Sequence, residues 1–228
     1  MSLAERTWTE LAGPRTLLVP VGSLEQHGPH LPLDTDTRVA TAVARRAAAE
    51  EPSVLVAPAV AYGASGEHEA FAGTVSIGHE ALRAVLVELG RSAARWAERL
   101  VLVNGHGGNL PTVAEAVVQL RREGRDAAWF GCGVPGGDAH AGRTETSMLL
   151  ALAPDLVRLD AAAAGNTASL SELLPALRSG GVAAVSPNGV LGDPAGASAE
   201  EGERLLTEMA RTLRGALSTW RPTPQGRL

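Results

Sequence analysis

The chain has 228 residues, 45% hydrophobic and 20% charged, with a formal net charge of −5 and 20 basic residues that are all arginine. This composition supports a sizeable core and excludes a disordered chain, and with no arginine-rich block it excludes a surface that tracks a nucleic-acid backbone. The single cysteine, Cys132, leaves no internal disulfide, the first ten residues lack the pattern of a signal peptide, and no apolar run approaches the ~20 residues that cross a bilayer, so a cytoplasmic protein without membrane contact is expected.

In chain order, TLLVPV at 16–21 predicts a buried strand that stops at Gly22. The next segment, GSLEQHGPHLPLDTD, packs Glu25, His27, His30, Asp34 and Asp36 into fifteen residues and leads to a helix predicted over 37–50, with Asp36 as its N-cap. A second strand is predicted over 53–58, then a long loop through YGASGEHEAFAGTVSIG and a helix over about 80–98. That helix is expected to bury Leu82, Val85, Leu86, Leu89, Ala93 and Trp96 as one stripe. A third strand over 99–105 runs into the turn GHGGN and a helix opened by Asn109 and Pro111 and closed near Gly124, and a fourth strand covers 126–132. The Gly-, Pro- and Ser-rich stretch 166–197 reads as one long loop, and its apolar run GGVAAVSPNGVLG has no period that would bury it, which marks a subunit contact. Ser198 and Glu201 form a capping-box pattern before a last helix. The alternation predicts one α/β domain over 1–228, a mainly parallel sheet with helices on both faces, and a site at the strand C-terminal ends.

Five of the six histidines lie in four segments: EQH at 25–27 with His30 just beyond, GEHE at 66–69, NGH at 104–106 and HAGRTET at 140–146. Each segment follows a predicted strand, so a parallel sheet brings them to one rim. Glu25 and His27 point to the same side of an extended backbone, and the Gly28-Pro29 and Leu31-Pro32 turns can fold Asp36 back toward them. With His106 from another strand end they make a carboxylate and imidazole set suited to Zn²⁺, Fe²⁺ or Mn²⁺, and to a hydrolytic metal with a position open to water. Asp34 reads simply as a helix cap. NGHGGN lacks the GxGxxG or GK[ST] form of a phosphate loop, and its central histidine points to a metal or an oxyanion, with the N–H groups of Gly107 and Gly108 free beside it. No GxSxG supports a serine hydrolase. Glu67 and His68 lie in the loop that faces substrate, and His140 is suited to hand a proton to a leaving nitrogen.

The segments LEQHGPHLPLDTD, YGASGEHEAFAGT, VLVNGHGGN and DAHAGRTETS resemble the creatininase family of metal-dependent amidohydrolases along nearly the whole chain. The resemblance implies a three-layer α/β/α subunit, a ring-like or stacked homo-oligomer (hexamer or octamer), and one or two divalent metals per site, Fe²⁺ and/or Zn²⁺ with Mn²⁺ also accepted. By matching positions it implies Glu25, His27, Asp36 and His106 as ligands, with Asp36 bridging. Creatininase itself has a carboxylate ligand where this chain has Gly108, and Glu145 matches another family carboxylate that could replace it as ligand or base. The tryptophan of creatinine-specific members is missing before HAG, where Gly136, Gly137 and Asp138 stand, so creatinine is not the expected substrate. The pattern is most similar to a peptidase branch whose substrate is a modified ribosomal precursor peptide, cut just before a decarboxylated, cross-linked Val-Tyr pair. A formamide or cyclic-amide hydrolase, and a metal-binding scaffold without turnover suggested by Gly108, are the alternatives.

Overall fold

The computed structural model describes residues 1–228. Four strands, β1 (Thr16–Val21), β2 (Val54–Val56), β3 (Arg99–Asn104) and β4 (Ala127–Gly131), form one parallel sheet in the order β2-β1-β3-β4. Val21 pairs with Asn104 and Asn104 with Gly131, so three strands stop level and release their loops at one rim. Side-chain alternation sends Leu17, Val19 and Leu102 to one face and Leu18, Val101 and Val103 to the other. The first face is covered by α2 (Gly78–Ala93) and α3 (Leu110–Arg122), the second by α1 (Thr35–Ala47), α4 (Arg143–Leu152) and α6 (Ala199–Thr219). The result is the three-layer α/β/α arrangement, with α5 (Leu170–Gly180) lying over the rim.

Four departures from the sequence reading stand out. First, α1 begins at Thr35, because the Pro32 carbonyl accepts from both Thr35 N–H and Thr35 Oγ1 and so starts the turn early. Asp34 takes the N-cap position and pairs with Arg38 at 2.7 Å, while Asp36 is buried in the first turn and does not cap. Second, α2 ends at Ala93 and not near residue 98, it buries Leu82, Leu86, Val87, Gly90 and Ala93 and leaves Val85 exposed, and Trp96, beyond its end, is exposed too. Third, Ser198 accepts from Glu201 N–H, but the Glu201 carboxylate binds Arg143 and Ser147 of α4 and does not return to the cap.

Fourth, 166–197 is not one open loop. It contains α5, and its apolar run is buried within its own subunit, with Val182, Val190 and Leu191 at 1%, 0% and 5% exposure. Leu191 exchanges backbone hydrogen bonds with His140, which folds the run down beside the rim. The apolar run therefore does not mark a subunit contact by being exposed.

Two close backbone approaches set where α1 begins. A Cβ on Gly22 would lie 2.2 Å from Thr37 Oγ1, and one on Gly105 would lie 2.3 Å from the Asp36 carbonyl oxygen. The glycines that end β1 and β3 thus let the first turn of α1 seat directly on the strand ends, which brings Asp36 to the rim. Gly105→Ala is expected to cost about 1–3 kcal/mol, the usual range for overpacking, while Gly107→Ala, whose Cβ would meet nothing within 4 Å, is expected to stay within about 0.5 kcal/mol of the parent. Urea midpoints of the two variants check this.

Candidate metal centre

Each strand delivers one histidine to the rim. The extended segment after β1 carries Ser23, Glu25 and His27 on alternate positions and returns through α1 with Asp36. The loop after β2 brings His68 in a 3-10 turn, Gly66–His68, and β3 ends two residues before His106. His140 follows β4, and Glu145 sits in the first turn of α4. Asn109 locks these loops together: its Oδ1 accepts from Ala64 N–H at 2.9 Å, and its Nδ2 donates to Gly22 O at 2.9 Å.

The buried side chains form two groups that share Asp36. His106 Nδ1 lies 3.1 Å from Glu25 Oε1 and 3.2 Å from Asp36 Oδ2. Its other nitrogen, Nε2, is 3.2 Å from Ala64 O and donates to it, so Nδ1 is the nitrogen turned to the two carboxylates, free to carry a proton or to meet a cation. His27 repeats this arrangement: Nδ1 donates to the Glu25 carbonyl at 3.1 Å, leaving Nε2 to face Asp36 Oδ1 at 3.2 Å and Glu145 Oε2 at 3.9 Å. Asp36 therefore turns one oxygen to each group, and Ser23 Oγ donates to Oδ2 at 2.7 Å.

These donors fit a divalent cation. Both carboxylate oxygens of fully buried Glu25 lack a hydrogen-bond partner, a state that a buried carboxylate relieves by meeting a cation, a proton or water. Glu25, His27 and Asp36 place ligand atoms within 4.8 Å of one another, as do His27, His140 and Glu145. Oxygen and imidazole donors without thiolate suit Zn²⁺, Fe²⁺ or Mn²⁺. Burial opposes charge on His27, yet Asp36 and Glu145 beside it raise its pKa to about 10; burial likewise opposes charge on His106, which Glu25 and Asp36 hold well above the usual range. Against its own burial, Glu25 falls to about 2 beside His106, whereas burial and Asp36 push Glu145 up to about 7. Ring protons and divalent cations are thus alternative ways of neutralising the same carboxylates.

His140 and His68 stand beside this pair of groups. His140 Nε2–H donates to Gln26 O at 2.8 Å, leaving Nδ1 free 3.8 Å from Glu25, and burial and the neighbouring His27 hold its pKa well below the usual value. The Gln26 side-chain amide donates to His68 Nδ1 at 2.8 Å and to Gly189 O at 3.1 Å. A cavity of about 660 Å³ opens above, with Glu67, His68, Gly107 and Gly108 in its lining and Leu170, Leu174 and Leu177 of α5 on the opposite wall. All ten residues singled out from the sequence reach this region. His30 does not: it bonds Thr146 of α4 at 2.8 Å. The sequence reading missed Ser23, Gln26 and Asn109 as supports, although the alternation that groups Glu25 with His27 also includes Ser23.

The family model for creatininase, creatinine amidohydrolase, matches residues 4–217. The mycofactocin precursor peptide peptidase of Mycobacterium ulcerans is 60% identical over 221 residues, covering 93% of this chain and 88% of that protein. A solved Mn form of creatininase superposes with a TM-score of 0.80 at 30% identity over 98% of this chain and 100% of the other, and a Zn-Zn form of a creatininase variant gives 0.80 at 31% with the same coverage.

Stripping with chelator and reloading at pH 7 is expected to release protons from His27 and His106, seen as a binding enthalpy that depends on the ionisation heat of the buffer. His27, raised from 6.5 to about 10, adds to the stability of the metal-free protein in full below pH 6.5, and the contribution is lost as pH rises toward 10. Urea midpoints of the stripped protein should fall across that window, and those of the loaded protein should not share this loss.

Proposed function

The chain belongs to the creatininase family, and on that premise we propose that it is a metal-dependent peptidase that cuts the mycofactocin precursor peptide and releases its modified Val-Tyr-derived unit. It is a hydrolase of C–N amide bonds. The observation that carries the reading is the pair of carboxylate and imidazole groups sharing Asp36 at the floor of a 660 Å³ cavity, a volume in the range of sites that enclose a substrate of several functional groups. The 60% identity to a named peptidase supports the peptide over a small cyclic amide.

In this reading Glu25, Asp36 and His106 would hold one metal and His27, Asp36 and Glu145 a second, and Glu145 would take the place of the carboxylate missing at Gly108. Such cations supply Lewis acidity toward the scissile carbonyl and acidify water. Glu67, His68 and the N–H groups of Gly107 and Gly108 face the substrate. Neutral His140 accepts a proton at Nδ1 from the attacking water and returns it to the leaving nitrogen as the C–N bond breaks, with Nε2–H anchored on Gln26 O throughout. Residues 1–228 act as one domain in a cytoplasmic homo-oligomer, hexamer or octamer, using Fe²⁺ or Zn²⁺. No helix is long and apolar enough to cross a membrane.

Mass spectrometry of a cross-linked precursor peptide incubated with the metal-loaded protein should detect the released C-terminal unit. His140→Asn should lower kcat by about 10²–10⁴-fold with metal content unchanged. An undiminished rate would remove His140 from the reaction, and an intact peptide with concurrent cleavage of a small formamide would replace the peptidase reading with that of a formamide hydrolase.

A further inference from the structure

Glu67 stands in the space that a side chain at position 108 would need. A Cβ built on Gly108 would lie 2.4 Å from Glu67 Oε1, 2.4 Å from His106 Nε2 and 2.8 Å from Ala64 O, so a side chain there would have to displace the Glu67 carboxylate and the His106 ring. The carboxylate arrives on the 3-10 turn after β2, whereas Gly108 belongs to the turn after β3. The group and the gap that admits it are thus supplied by different strands.

Glu67 Oε1 is 3.4 Å from His106 Nε2, and Ala64 O accepts from the same nitrogen at 3.2 Å. The far side of the ring, Nδ1, faces Glu25 and Asp36. The Ala64 carbonyl behind Nε2, with the Glu67 carboxylate beside it, keeps the proton on that nitrogen and holds the ring plane, which commits the Nδ1 lone pair to the metal side. A negative charge behind the ring also makes Nδ1 more basic, as carboxylates behind metal-bound histidines do. Glu67 has no arginine within ion-pair distance, its side chain is 32% exposed, and the His106 ring is the one basic group it meets within 4 Å.

We propose that Glu67 is a positioning residue that orients His106 for metal binding, and that Gly108 is glycine because the Glu67 carboxylate and the His106 ring occupy the volume of its side chain. The proposal rests on the metal reading above and adds to the substrate-facing role of Glu67.

The test is Co²⁺ affinity of the full chain, measured by chelator competition, with the visible Co²⁺ spectrum recorded for each variant. Glu67→Ala is expected to weaken Co²⁺ binding by about 10–100-fold and to change the spectrum. Glu67→Gln keeps an acceptor oxygen in the same place, so it should recover most of the affinity and the parent spectrum. Gly108→Ala should weaken binding comparably. Both changes act through the same ring, so the double variant should fall short of the product of the single losses. His106→Ala separates the two levels of the account. If it too loses Co²⁺ while Glu67→Ala stays within about twofold of the parent, the metal reading holds and the role of Glu67 is overturned. Losses that multiply in the double variant would overturn the link to Gly108. Should His106→Ala bind Co²⁺ as the parent does, the metal reading itself fails, and this proposal with it.

Discussion

The structure is organised around Asp36, a buried carboxylate whose two oxygens face two different imidazoles, His27 on one side and His106 on the other. Burying a carboxylate without compensation costs on the order of several kcal/mol, and here Glu25 is buried beside it with both oxygens unpaired by hydrogen bonds. Ring protons or divalent cations can balance these charges. Of the two, only the cations also place an electrophile at the floor of a substrate-sized cavity. Both rings have their remote nitrogen engaged by a backbone carbonyl, which leaves the near nitrogen to carry a proton or to bind a cation.

The fold meets this demand through the sheet. A parallel arrangement puts all four strand ends on one rim, and each strand contributes one histidine from the loop that follows it. Asp36 reaches the same point from a helix, because Gly22 and Gly105 let the first turn of α1 touch the strand ends. The support is largely main-chain and amide in character: Asn109 ties the loops after β1, β2 and β3, and Gln26 joins His68 to the Gly189 turn. With α5 forming the far wall, the metal groups lie at the closed end of a cavity and not on an open surface.

Much of this was legible in the sequence because it is local. The strand at Thr16–Val21 was read at its observed bounds, since a β-branched apolar run ended by glycine has few other solutions. The set Glu25, His27, Asp36 and His106 followed from alternation and strand ends. Glu145 was found only through family resemblance, as nothing local marks the first turn of α4. Helix α5 was hidden by Pro175 in its middle, although Ser169 and Glu172 form a capping box and Leu170, Leu174 and Leu177 share one face. The meeting of Glu67 with Gly108 joins loops about 40 residues apart in sequence, and no periodicity reports on it.

Anomalous diffraction from crystals of the metal-loaded protein, collected at the absorption edge of the bound metal, tests the central role of Asp36 most directly. The account predicts two peaks that both contact Asp36, one bounded by Glu25 and His106 and the other by His27 and Glu145. Peaks that do not touch Asp36, or a single peak in the fully loaded protein, would contradict it.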